Sequence, residues 1–257
     1  MANNALLVLL LTSWVVDFAH AAPVILPGRR WIYRHPNLGL CLWFGLFIAS
    51  VVAAAAAVVI AVLSVFATWL ELQRTGVGES DWVLALTVSF APWLILAFGG
   101  ILLALVNTKL ERAFQEAPRV ELGLLGGKEV GRASGFRIIE LPLEFNYLGS
   151  SYSDKAVIRT KGSVRELSES ELQACIEHEV AHLKARHGLM LRSLAFVQQS
   201  LGVFGASRVM ANEVRVLIEL AADRKVEDRV AAHSALVKLV GDKPDREARL
   251  RLAFLGE

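Results

Sequence analysis

The sequence predicts an α-helical membrane region of about three spans, followed by a mainly α, α+β domain outside the bilayer. Two observations lead to this reading. Of the 257 residues, 54% are hydrophobic, whereas soluble chains average about 45–50%. The excess lies almost entirely before residue 107, after which charge density becomes ordinary. This shift places a membrane region at 1–110 and a folded domain at 111–257, the latter long enough to bury one core.

Three apolar segments account for the first region. They run from Ala5 to Leu26, from Leu38 to Leu70 with no charged residue, and from Trp82 to Val106. About 20 apolar residues cross the hydrocarbon layer, so the second is longer than needed and is expected to tilt or to continue as helix beyond the bilayer. Several of Trp14, Trp31, Trp43, Trp69, Trp82 and Trp93 are candidate interfacial anchors. The start "MANN" lacks a basic region and Asp17 interrupts the first segment, so it reads as an uncleaved span. Asp17 and His20 are one turn apart and are expected to satisfy each other or to sit near the interface, the alternative being that Asp17 is a functional intramembrane acid.

The basic loop "PGRRWIYRHPN" and the basic residues after 106 lie on one side of these spans, and the loop "ELQRTGVGESD" on the other. The excess of Lys and Arg marks the cytoplasmic face, so the N-terminus is expected outside and residues 111–257 in the cytoplasm. A net charge of +2, with acids and bases interleaved, argues against direct nucleic-acid binding. Cys41 and Cys175 supply no disulfide framework, which suits a reducing compartment.

Within the second region, "GGKEVGRASGFRIIELPLEFNYLGS" reads as loops with one or two strands, and "AVIRT" (156–160) as a further strand, either edge or interior. "SESELQACIEHEVAHLKARHG" is the clearest helix. Ser168 with Glu171 forms a capping box, Gly188 is the expected C-cap, and His187 is expected to cap the same end. The apolar stretch 189–207 reads as a helix packed on the domain or lying on the membrane surface. Helices are also expected at 211–230 and 232–241, while His233 and Ser234 have no identifiable partner.

The chemistry lies in "HEVAH". On a helix, positions four apart point nearly the same way, so His178 and His182 can both reach one zinc ion. Glu179, about 100° round the helix, lies beside the metal, where it can take a proton from the attacking water and pass it to the leaving amine. Catalytic zinc needs a third protein ligand and an open position. Glu219 in "LIELAAD" is that candidate, and Asp223, four residues on, fits a role in fixing the tautomer of a zinc histidine. A solvated amphipathic helix would also spell H-E-x-x-H, but it would not explain carboxylates at matching spacing on a second helix. Cys175, one turn before His178, reads as a small buried thiol. The domain is therefore expected to be a zincin-like metalloendopeptidase.

With "LSESELQACIEHEVAHLKARHG" and "IELAADR" in view, the chain resembles the integral-membrane zinc metallopeptidases related to BlaR/MecR, the β-lactam sensor-transducers of the bacterial plasma membrane. The resemblance implies zinc on His178, His182 and Glu219, Glu179 as general base and Asp223 as companion. It also implies a protein substrate, of which a winged-helix repressor is the model. The sequence given ends at Glu257, soon after the motif, so the likeness is to a short form without a penicillin-binding sensor. HtpX-like quality-control peptidases share the zinc helix and the glutamate helix and give the alternative role. A third reading is a membrane signalling protein that binds zinc without cutting, against which the intact Glu179 argues.

Overall fold

The computed structural model describes residues 10–11, 13–14, 21–75, 125–201 and 205–257. It is mainly helical with one small mixed sheet. A short helix α1 (Arg30–Arg34) leads into α2 (Pro36–Thr75), whose stretch Pro36–Ser64 is long and apolar enough to cross a membrane. Those 29 residues rise about 43 Å, more than the roughly 30 Å of hydrocarbon. This is the second expected span. The third lies wholly outside the described residues, as do Asp17, His20 and most of the first.

The early turns of α2 are not free for lipid all round. Trp43 is buried and shares a core with Ile32 and Leu40 from the amino-terminal side, Leu194, and Met210, Val214, Leu217 and Ile218. Trp43 is therefore a packing residue and not an interfacial anchor. Gly39 makes the approach possible, since a Cβ there would lie 2.7 Å from Ile32 Cγ2 and 2.9 Å from Leu217 Cδ1. Each fully buried side chain of Leu217's size stabilises this seam by about 1.5–3 kcal/mol.

The sheet holds β1 (Lys128–Ala133), β2 (Phe136–Leu141), β3 (Leu148–Ser151) and β4 (Ala156–Thr160) in the order β1-β2-β4-β3. The stretch expected to hold one or two strands thus holds three. β4 pairs parallel with β2 and antiparallel with β3, with Ala156 and Val157 fully buried. "AVIRT" is therefore an interior strand, and β3 takes the edge.

Six further helices follow: α3 (Lys161–Glu166), α4 (Glu169–Lys184), α5 (His187–Leu201), α6 (Gly205–Asp223), α7 (Arg229–Val240) and α8 (Arg246–Leu255). α4 starts at the expected capping box, with the Glu171 amide donating to Ser168 Oγ at 3.3 Å and the Ser168 amide to Glu171 Oε2 at 2.7 Å. It ends earlier than expected. Ala185 is the C-cap, Arg186 takes the left-handed conformation at φ 54°, and Gly188 lies in the first turn of α5.

α5 packs its apolar side on α6 through buried Leu194, with Met190 and Leu191 beside it. α6 begins earlier than the expected 211–230, and it also ends earlier, because Asp228 caps a separate helix by accepting from the Ala231 amide. That helix, α7, begins three residues before the expected 232. α8 was not foreseen; Asp245 caps it by accepting from the Ala248 amide.

Candidate metal centre

α4 and α6 face each other and bring their polar positions to one point. His178 and His182 are buried on α4, one turn apart, with their Nε2 atoms 3.0 Å from each other. Glu219 on α6 reaches both, at 3.2 Å from His178 Nε2 and 3.6 Å from His182 Nε2. One ligand atom from each of the three lies within 4.8 Å of the others.

The outer nitrogens of the two rings are engaged elsewhere. Asp223 Oδ1 lies 2.8 Å from His178 Nδ1, and His187 Nδ1 lies 3.0 Å from His182 Nδ1. A ring held through Nδ1 turns its Nε2 towards the centre, where a metal would displace any proton that nitrogen carries. His187 is thus not a helix cap. It is buried, and burial together with the neighbouring His182 pushes its pKa down to about 4, so it is held neutral. Burial opposes a charge on His178, but Asp223 and Glu219 outweigh it and raise its pKa to about 9. Burial likewise opposes ionisation of both carboxylates. Hydrogen bonds with His178, and for Asp223 also with Arg251, hold them below the ordinary range, Glu219 far below it.

Glu179 is half-buried beside this cluster. The hydroxyl of Ser150, on edge strand β3, contacts both the Glu179 carboxylate and its backbone carbonyl, the latter at 3.0 Å. Around the cluster is a cavity of about 260 Å³ whose lining includes Ser150, Tyr152, Cys175, Glu179 and Arg251.

Three of these residues were not legible in the sequence. Arg251, on the unforeseen helix α8, grips Asp223 through two contacts of 2.8 Å and reaches Glu219 Oε2 at 3.1 Å. Its charge is held by the two carboxylates against the cost of burial. Tyr152 stays protonated, since burial and then the charges of Glu179 and Glu219 raise its pKa well above the ordinary value. Its ring stacks on Gly188, where a Cβ would come within 2.5 Å of it. Ser150 is the third. Only Arg251 left any trace, as a cation at helical spacing among leucines in "REARLRLAFL".

Buried imidazoles and carboxylates converging within one cavity define a metallopeptidase class of site. Comparison with known families agrees: a family model described as Peptidase family M48 matches residues 146–242, which is under half of the chain. Members of that family are generally zinc-dependent metallopeptidases, and the match does not extend to the BlaR/MecR subtype in particular. No curated protein and no solved structure gives a significant match.

Proposed function

We propose that the chain is a membrane-bound zinc endopeptidase that cleaves a cytoplasmic or membrane-associated protein. The observation that carries this reading is the convergence of three acceptor atoms, His178 Nε2, His182 Nε2 and a Glu219 oxygen, within 4.8 Å, with Glu179 beside them. These atoms converge on one point in the arrangement of a metal site, and two imidazoles with one carboxylate suit zinc. The residues therefore fit the metal. When bound, zinc would polarise the scissile carbonyl and acidify the attacking water.

The protein's own groups supply the rest. Glu179, oriented by Ser150, takes the proton of the attacking water and delivers it to the leaving amine. Asp223 and His187 fix the rings of His178 and His182. Arg251 keeps Asp223 and Glu219 ionised. Among the described residues β3 pairs only with β4, so its outer edge can receive an extended peptide beside Glu179.

The domain division at 1–110 and 111–257, three spans, an outside N-terminus and a cytoplasmic catalytic side belong to the same proposal. They are supported by the apolar segments, the one span-length helix described and the placement of basic residues. The narrower role is regulated cleavage of a transcriptional repressor, supported by the BlaR/MecR likeness of the motif strings. The family match stops short of that subtype, so HtpX-like quality control stands beside it as the second reading.

The deciding experiment compares the detergent-purified chain with Glu179→Gln for zinc content and for self-cleavage or casein cleavage. About one zinc per chain in both proteins, with cleavage only in the wild type, is expected. Zinc in neither would overturn the proposal. Trapping substrates on Glu179→Gln in cells then separates the roles: a DNA-binding repressor supports regulation, and a spread of misfolded membrane proteins supports quality control.

A further inference from the structure

A second cavity lies away from the metal centre, where the amino-terminal segment meets α8. It has a volume of about 390 Å³ and is lined by Gly28, Arg30, Tyr33, Arg246, Arg249 and Leu250. Three guanidiniums face one space. Arg246 is paired there: it contacts Glu213 and donates to Tyr33 Oη at 3.0 Å, while Tyr33 donates to Glu213 at 2.8 Å. Among the described residues, Arg30 and Arg249 have no carboxylate partner. One carboxylate therefore meets three cations, and the wall keeps a positive excess.

The cavity is large enough for a small ligand, at the lower end of the roughly 300–1,000 Å³ range for such sites. Guanidiniums bind phosphate through paired N–H donors better than any other side chain does. Its place adds the second half of the argument. Arg30 and Tyr33 lie immediately before Pro36, where the span-length helix begins. On the same segment Val24, Ile25, Trp31 and Leu38 are exposed, an apolar collar beside the basic wall. A soluble anion would use only the arginines, whereas a phospholipid would use both surfaces.

We propose that this pocket binds the phosphate headgroup of an anionic phospholipid at the foot of α2. The bound lipid would join α1 to α8. Because α8 also carries Arg251 into the metal centre, the pocket places lipid contact one helix away from Asp223 and Glu219.

The test measures binding alone, so it stands whether or not the chain cleaves peptides. Full-length protein in a neutral detergent is titrated with short-chain phosphatidylglycerol, short-chain phosphatidylcholine and inorganic phosphate. The expected result is phosphatidylglycerol affinity at least roughly tenfold above the other two. Arg30→Gln/Arg249→Gln should abolish that preference, and the matching lysine pair should keep most of it. Arg132→Gln/Arg165→Gln, equal in charge but remote, should leave it unchanged. All of these positions are exposed, so the variants should fold. Equal affinity for the two lipids would overturn the proposal, as would a preference that survives in the glutamine pair. Inorganic phosphate binding as tightly as phosphatidylglycerol would assign the pocket to a soluble anion and overturn the lipid.

Discussion

Helix α4 carries two buried polar clusters, and they are finished differently. At its start, Glu171 accepts from the Ser168 amide, from Ser234 Oγ at 2.6 Å and from Lys238 Nζ at 2.6 Å. Every partner there is a donor, so the carboxylate is satisfied from within the fold and ties α4 to α7. Two turns later His178, His182 and Glu219 turn their ligand atoms on one another, with Asp223 and His187 on the outer sides of the rings and Arg251 reaching Glu219 from one side. A closed cluster holds structure; an open cluster asks for something from outside. Burial alone does not separate them, because Glu171 and His182 are equally hidden, at 5% exposure each. What separates them is geometry: donors surround a single carboxylate at Glu171, whereas two imidazoles and a carboxylate converge on one point at the other cluster.

Breaking the open cluster should have the larger effect. His182→Ala removes a converging nitrogen, and both bound zinc and cleavage should fall below detection, measured by metal analysis and peptide hydrolysis. Asp223→Asn should keep the fold but weaken zinc by roughly 10–100-fold in a chelator competition, since His178 loses the charged carboxylate that orients it and strengthens it as a ligand. The same change leaves Arg251 short of a partner, so Arg251→Gln added to it should cost less than the two single losses combined. Additivity would show that Arg251 acts separately.

Gly188→Val tests the wall of the metal-centre cavity at Tyr152. Its Cβ would strike the ring of Tyr152, so a loss of about 1–3 kcal/mol is expected in denaturant unfolding. The smallest effect should come from the closed cluster. Glu171→Gln keeps an acceptor and should cost about 1–2 kcal/mol at neutral pH without touching zinc. Its hydrogen bonds with Lys238, Ser234 and Ser168 lower the Glu171 pKa from 4.5 to about 2. The stabilisation is therefore whole above about pH 4.5 and lost as pH falls through about 2. An acid-unfolding series should show a shallower slope in that window for Glu171→Gln. An unchanged slope would remove Glu171 from the account.

Some of this was legible in the chain and some was not, for reasons that differ by residue. The start of α4 was readable because a capping box is local: Ser168 and Glu171 are three apart and serve each other's amides. The convergence of His178 and His182 was readable because helical spacing sets it. Its end was misread because the glycine that usually closes a helix is here a packing residue, and Arg186 made the turn instead. "AVIRT" could not be placed at an edge or in the interior from its own letters. Strand order depends on which strands lie beside it, and β2 and β3 are supplied by segments on either side of a crossover. Ser234 has its partner, Glu171, 63 positions away, where no local pattern points to it.

The apolar span, the capped helix, the i,i+4 histidines and the i,i+4 carboxylates could be read from the order of residues alone, because each rests on spacing within one element. The tertiary structure decided that Glu219 and Asp223 face the histidines, that His187 backs His182, and that Arg251 enters from a helix at the far end of the chain. It also gathered Arg30, Arg246 and Arg249 around one cavity. Apart from His182 with His187, which are five positions apart across a helix end, these contacts join residues dozens to hundreds of positions apart. No local propensity encodes them; they follow from how α2, α4, α6 and α8 bury their apolar faces against one another.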